Sequence, residues 1–202
     1  MSTPEWRQAV IAYIRAEARP VDKFGHQPRL YALATELGRG MEYDDDVVFA
    51  AAWMHDLGVF TGHRPTDPGE LTRWDHIPYT IAKTREFLPS WGFPQEKVES
   101  VTEAIRTHQP DGDTQTFEAC LLHDADILEQ LGAIGALRVL AKVGRDTRYQ
   151  DFSSVISVLH DAVDRLPSKM RLSYSMSLAE PRLALLRALL AAIAHEAGGL
   201  LF

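Results

Sequence analysis

The sequence predicts an all-α protein. Along its 202 residues, apolar side chains recur at helical spacing in one segment after another, and clusters of glycine and proline separate these segments. The strict alternation of apolar and polar residues that is typical of a strand does not occur. Apolar residues make up 46% of the chain and charged residues 24%, as is usual for a globular protein. We expect residues 1–202 to form a single domain.

The first three predicted helices have recognisable starts or ends. The first covers residues 4–17 and ends before Pro20, which breaks the apolar pattern. The second covers residues 27–37 and ends at glycines, which are common after the last turn of a helix. The third begins at the acidic run 44–46, where negative charge suits the positive end of the helix dipole. A continuous apolar run follows, and Gly58 ends the segment.

Residues 60–73 contain two prolines and two glycines, so they are predicted to form a long loop that serves either as a lid or as a passive connector. Beyond this loop, the same reasoning predicts helices over residues 74–88, 95–108, 117–131, 132–143, 152–166 and 180–197. The last helix is apolar on more than one side between residues 183 and 193, which slightly favours a homodimer over burial in the core.

Composition excludes several classes of function. The net charge of −7 and the lack of a dense basic run disfavour binding to a nucleic acid duplex. The single cysteine, Cys120, cannot form an internal disulfide and fits a reducing compartment. The longest apolar segment, residues 183–194, is too short for a bilayer, which takes about 20 apolar residues. The N-terminus lacks the apolar stretch of a signal peptide, so we expect a cytoplasmic protein.

His55 and Asp56 stand at the end of the apolar third helix, where neither group would be expected. Burying them without partners would cost a few kcal/mol. A divalent metal ion would resolve this conflict, and a mixture of imidazole and carboxylate ligands suits Mn, Fe, Ni, Co or Zn. Further candidate ligands lie at separated points along the chain: His26, His76, His108 and Asp126.

Three segments resemble the HD-domain superfamily of metal-dependent phosphohydrolases, in which a His is followed by a His-Asp pair and then by a later Asp. They are Gly25–Leu30 (GHQPRL), Ala51–Gly58 (AAWMHDLG) and Asp124–Leu128 (DADIL). Residues 122–138 are also similar to small stand-alone bacterial members. The resemblance covers about residues 24–145, and it implies an HD-type helical bundle with residues 146–202 as a C-terminal helical extension.

The resemblance also implies a set of site residues. One metal ion would be held by His26, His55, Asp56 and Asp126. His76 and His108 match positions that hold a second metal ion or contact the phosphate in some family members, so one or two ions are expected. Arg29 would neutralise charge on the phosphoryl group, while Asp56 would act both as ligand and as proton acceptor. Asp124 would orient a ligand from the outer shell.

The implied activity is hydrolysis of a nucleotide or another small phosphoester by a metal-activated water, with Asp56 and Arg29 as the catalytic residues. Three alternatives stay open at this point. The same ligands could hold two irons that activate oxygen, or a single metal that hydrates a nitrile-like substrate. The chain could also be a non-catalytic sensor that binds a metal together with a nucleotide or a partner protein.

The remaining histidines and three tryptophans near the motif have simpler interpretations. His123 is predicted to be structural or to support a ligand. The other histidines are expected to lie on the surface or in ordinary hydrogen bonds: His63, His160 and His195. The tryptophans are expected to fill the core, with stacking on a base as the alternative: Trp53, Trp74 and Trp91.

Overall fold

The computed structural model describes residues 3–145 and 149–200, and this part of the protein is all-α, as predicted. It contains ten α-helices and no strand. The helices are α1 Glu5–Glu17, α2 His26–Leu37, α3 Asp45–Met54, α4 Pro68–Thr72, α5 His76–Ser90, α6 Val98–Thr107, α7 Phe117–Gln130, α8 Gly132–Leu140, α9 Phe152–Arg165 and α10 Ser175–Ala197.

The chain divides into two compact units, Met1–Ala125 and Asp126–Phe202, with the boundary inside α7. The first unit holds α1 to α6 and most of α7, and the second holds α8 to α10. The organisation of residues 1–202 as a single domain stays a prediction.

Helix α3 is the centre of the first unit and packs against α1, α2 and α6. Every residue from Val47 to Met54 is buried, which agrees with the continuous apolar run. The helix starts where the acidic run predicts, because the Asp44 side chain accepts hydrogen bonds from the backbone N–H groups of Asp46 and Val47. A capped start and a buried body fix the end of the helix, where His55 and Asp56 follow.

A network of charges joins the start of α3 to two neighbouring segments. The Arg7 guanidinium lies 2.6 Å from Asp46 Oδ1, and Lys97 Nζ lies 3.1 Å from Asp46 Oδ2. Burial by itself would raise the pKa of Asp46, but the hydrogen bonds from Arg7 and Lys97 outweigh it and lower that pKa below its ordinary value. The ionised carboxylate is therefore favoured in the folded state.

Replacing Asp46 with asparagine is expected to lower the free energy of unfolding by about 1 kcal/mol at neutral pH, because two cations lose a charged partner. A lowered pKa stabilises the fold above the unfolded-state value of about 3.9, and this contribution is lost as the pH falls through the folded-state pKa. The difference between Asp46→Asn and the wild type should therefore narrow in acid. Urea denaturation at several pH values measures it, and a difference that stays constant into acid would contradict this assignment.

The segment 60–73 is not an uninterrupted loop. Residues Pro68–Thr72 form α4, which begins because the Asp67 side chain accepts the N–H of Glu70 and because a proline suits the first turn. The prediction was wrong at these five residues. His63 also connects this segment to its surroundings, since Nδ1 lies 2.8 Å from Tyr79 Oη and Nε2 lies 2.9 Å from Glu17 Oε2.

In the second unit, α10 packs against α8 and α9. One face of the helix is buried, with Leu183, Leu186 and Leu190 in it. The helix begins at Ser175, earlier than predicted, although Pro181 lies inside it. Pro181 is exposed, so water can reach the carbonyl that its missing N–H leaves unbonded. The homodimer stays a prediction. No helix within the described residues combines the length and the apolar character that a membrane span needs.

Candidate metal centre

Five of the candidate ligands stand at helix ends. His26 is the first residue of α2, and His76 is the first residue of α5. His55 and Asp56 directly follow the last residue of α3, and His108 directly follows that of α6. Side chains at helix ends can converge while the apolar faces of the same helices pack elsewhere. The structure brings these five side chains together in two clusters that share Asp56.

The end of α3 explains how two consecutive residues can point to one place. Consecutive residues of a regular helix project about 100° apart. His55 still donates its N–H to the carbonyl of Ala51, as in a helix. Asp56 then leaves helical geometry, with φ −102° and ψ 12°, and a tight 3-10 turn follows at Leu57–Val59. The helix therefore loosens before Gly58, and the two consecutive side chains can share a target.

The first cluster contains His26, His55 and Asp56. The two Nε2 atoms of His26 and His55 are 3.1 Å apart. Asp56 Oδ2 lies 3.8 Å from His26 Nε2 and 3.6 Å from His55 Nε2. Two ligand atoms that are each about 2.1 Å from one metal ion are roughly 3.0–3.4 Å apart in octahedral or tetrahedral geometry. The three side chains therefore stand close to the spacing that one ion needs.

The second cluster contains Asp56, His76 and His108. Asp56 Oδ1 lies 3.6 Å from His76 Nε2, and one ligand atom of each of the three residues lies within 4.8 Å of the others. The carboxylate thus directs Oδ2 to the first cluster and Oδ1 to the second. A carboxylate in this position can be shared by two cations, one on each oxygen.

Two imidazoles are already in the tautomer that a metal ligand needs. Nδ1 of His55 lies 3.0 Å from the carbonyl of Ala52, and Nδ1 of His108 lies 2.6 Å from the carbonyl of Ile105. A carbonyl can only accept, so each Nδ1 carries a proton, and Nε2 is left as the ring nitrogen that can bind a metal ion. A backbone carbonyl behind the ligating ring is a usual support of metal-binding histidines. The donor set therefore fits a divalent transition metal ion.

Electrostatics keep Asp56 ionised. Burial by itself would raise its pKa, but the electrostatic effect of the neighbouring His55, His26 and His76, with a smaller effect of Lys23, holds the pKa of Asp56 well below its ordinary value. The side chain is 17% exposed, so it keeps a route to solvent. An ionised carboxylate among imidazoles is the form that binds a cation.

Asp124 and Asp126, the two aspartates of the third motif, have different surroundings. Asp124 is fully buried, and its Oδ1 lies 2.9 Å from His123 Nδ1. The pair lies in the first compact unit, and His123 is a hydrogen-bonded core residue. Asp126 is the first residue of the second unit, and its Oδ2 accepts a hydrogen bond from Gln130 at 3.1 Å. The role of Asp126 as a ligand, and that of Asp124 as its support, stay predictions.

Two cationic residues, Arg29 and Lys23, lie near the candidate site. Arg29 folds back over the start of α2, since a Cβ built on Gly25 would lie 2.8 Å from Arg29 Nη1. This brings its guanidinium to the end of the helix where His26 stands. Lys23 is close enough to Asp56 to lower the pKa of its carboxyl. Arg29 is the cation that the resemblance implies, and the structure places Lys23 near the cluster as well.

Sequence reasoning missed the residues that hold the turn after Asp56. The N–H of Gly58 donates to Thr80 Oγ1 at 3.1 Å, and its carbonyl accepts a hydrogen bond from Trp74 Nε1 at 2.8 Å. Gly58 was interpreted only as the end of a helix, and Trp74 as core or base-stacking. No local pattern identifies Thr80, because its role depends on which turn lies beside α5.

The HD domain family model matches residues 24–131, which is more than half of the chain. Among solved structures, Bacillus subtilis YpgQ is similar, with a TM-score of 0.71 and 21% identity over 95% of each chain. The same protein in complex with ADP matches with the same TM-score and identity. An HD-superfamily hydrolase from Bacillus thuringiensis has a TM-score of 0.67 and 18% identity, over 94% of this chain and 95% of that one.

No functionally curated protein matches this chain. The structural neighbours establish the fold. The family model covers the motif residues on which the resemblance to the HD-domain superfamily is based, namely His26, the His55-Asp56 pair and Asp126. The chain therefore belongs to the HD domain family.

Proposed function

We propose that the protein is a metal-dependent phosphohydrolase that acts on a nucleotide or another small phosphoester. The observation that carries this proposal is the pair of His/Asp clusters joined by Asp56. Each cluster offers imidazole nitrogen and carboxylate oxygen to a divalent ion, and the shared carboxylate suits one or two ions. Membership of the HD domain family supports the same reaction class.

Each residue of the site has a distinct task in this proposal. A divalent cation, when bound, lowers the pKa of a water molecule and polarises a phosphoryl oxygen. His55 and His108, fixed by the carbonyls behind them, keep their Nε2 atoms oriented without rearrangement. Asp56, the residue that both clusters share, is also the proposed proton acceptor for the attacking water. Arg29 neutralises charge that develops on the phosphoryl oxygens.

A nucleotide is the favoured substrate class because a protein of the same fold has been crystallised with one. YpgQ, which has the same fold, has been crystallised in complex with ADP. A nucleotide also presents the phosphate oxygens that a cation centre beside Arg29 and Lys23 would bind. The base and the number of phosphates are left to experiment.

Phosphate release tests the proposal directly. The full chain, stripped of metal with a chelator, would be supplied with Mn, Co, Ni or Zn and offered a panel of nucleotides and simple phosphoesters. Turnover that requires added metal supports the proposal. Tight nucleotide binding without turnover under every metal would instead favour the non-catalytic sensor.

Replacing Arg29 with alanine is expected to lower kcat/KM by roughly 100-fold, because one donor to the developing charge is lost. Metal content should stay unchanged, since Arg29 is not a ligand. Steady-state kinetics and metal analysis of the same preparation measure both effects. Arg39→Ala is the matched control, because Arg39 is an exposed residue just beyond the end of α2. Equal kinetics for Arg29→Ala and the control would remove Arg29 from the mechanism.

A further inference from the structure

Both backbone polar groups of Gly58 are held by side chains from the segment that carries His76. The N–H donates to Thr80 Oγ1 at 3.1 Å, and the carbonyl accepts from Trp74 Nε1 at 2.8 Å. Thr80 is fully buried, so water does not compete for its hydroxyl. Trp74 precedes His76 in the sequence and Thr80 follows it. The two hydrogen bonds therefore attach the Gly58 turn to the chain on both sides of His76.

The same glycine touches the backbone of His76. A Cβ built on Gly58 would lie 2.8 Å from the carbonyl oxygen of His76 and 3.0 Å from its Cβ. These distances are too short for any side chain, so only glycine allows the turn to approach α5 this closely. The start of α5 is itself fixed, because Asp75 Oδ1 accepts the N–H of Ile77.

The two clusters around Asp56 differ in what sets their spacing. In the first cluster, Asp56 follows His55 directly, so covalent geometry limits how far they can separate. In the second cluster, His76 comes from another helix, α5, and the packing of α5 on the turn helps to set its distance to Asp56. The two hydrogen bonds of Gly58 join this turn directly to the segment from Trp74 to Thr80.

We infer that Thr80 and Trp74 are positioning residues for the second cation position, the one formed by Asp56, His76 and His108. By holding Gly58 they fix the separation of Asp56 Oδ1 and His76 Nε2, which is 3.6 Å. This inference rests on the proposed metal centre, and it adds that Thr80 and Trp74 affect only one of the two cation positions. Loss of the Gly58 hydrogen bonds weakens the second position and spares the one that contains His26 and His55.

Paired variants of Thr80 test this inference. Thr80→Val keeps the shape of the side chain but removes the hydroxyl, whereas Thr80→Ser keeps the hydroxyl. The metal-free full chain would be titrated with Mn(II) by calorimetry. For Thr80→Val, the second Mn(II) ion is expected to bind about 10- to 100-fold more weakly, the usual effect of losing an outer-shell partner, with the first ion unchanged. Thr80→Ser should restore binding of both.

Electron paramagnetic resonance of Mn(II) provides a signature that a general loss of stability would not produce. Two ions that share Asp56 give a coupled spectrum, while a single bound ion gives the hyperfine pattern of isolated Mn(II). With Mn(II) supplied to fill both positions and no free excess, Thr80→Val and Trp74→Phe should change from the coupled pattern of the wild type to the isolated pattern. Trp91→Phe is the matched control, because Trp91 stacks on Phe87, whereas the Gly58 hydrogen bonds go to Thr80 and Trp74.

Each outcome decides the inference. Selective loss of the second ion in Thr80→Val, with rescue in Thr80→Ser, supports it. Equal weakening of both ions, unchanged binding of both, or a wild type that binds fewer than two Mn(II) ions overturns it. The proposed function fails separately: two ions that bind as described without phosphate release from any substrate would refute the phosphohydrolase and leave the positioning role intact.

Discussion

Replacing Asp56 with alanine is expected to abolish metal binding and hydrolysis together. Asp56 is the residue that both clusters share, with one oxygen directed to each. The affinity for metal should fall by more than the roughly 10- to 100-fold that the loss of an outer-shell partner causes, because a ligand itself is removed. Metal content by mass spectrometry and phosphate release from the same preparation measure the two effects.

The control for this variant must remove an aspartate elsewhere. Asp113 is exposed, lies in the loop between α6 and α7, and is outside both clusters, so Asp113→Ala should keep both metal and activity. Asp56→Ala removes a charge from among buried imidazoles, so its fold should be checked by circular dichroism. A folded Asp56→Ala protein that binds metal like the control would contradict the assignment of Asp56 as the shared ligand.

Replacing Phe60 with alanine is expected to lower the free energy of unfolding by about 3–5 kcal/mol. Phe60 ends the turn after Asp56, and its side chain is fully buried and is among the largest such side chains of the described residues. Removal of the ring leaves a cavity that the surrounding helices cannot fill completely. A loss of this size is a large part of the stability of a typical domain, which is about 5–15 kcal/mol.

Phe152→Ala is the matched control for Phe60→Ala, because the Phe152 side chain is 49% exposed. Its effect should stay within about 0.5 kcal/mol. Urea denaturation followed by tryptophan fluorescence measures both variants. If the two substitutions cost the same, the core around the turn that follows Asp56 is not packed as described.

Local sequence patterns predicted much of the fold. The continuous apolar run before His55 predicted a buried helix, and α3 is buried along its whole apolar length. The helix starts at His26 and His76 lie within two residues of their predicted positions. Apolar periodicity and capping residues act over a few neighbouring positions, so a sequence displays them directly.

The errors arose where local rules compete. The last helix was predicted to start at residue 180, but α10 begins at Ser175 and has Pro181 in its interior. Prolines and glycines over residues 60–73 suggested a loop throughout, although Asp67 supplies a helix cap within it. Pro68 shows the competition, because a proline that breaks one element also suits the first turn of another, here α4.

The residues of the candidate metal centre were predicted by resemblance, whereas the contacts that support them could not be predicted from the sequence. Family motifs pointed to His26, His55 and Asp56, which meet in the structure as one cluster. Thr80 and Trp74 carry no motif, and their role depends on the approach of Gly58 to α5, which is a tertiary contact. The effect of Lys23 on Asp56 likewise depends on how the chain folds before α2.

Titration of the metal-free protein with Co(II) tests the central claim most directly, which is that side chains from four helix ends form one cation centre. Visible absorption reports nitrogen and oxygen ligands around Co(II). We predict a saturable ligand-field band that is absent from Asp56→Ala and retained in Asp113→Ala. Only the weak, linearly rising spectrum of aqueous Co(II), identical for the wild type and Asp56→Ala, would contradict the account.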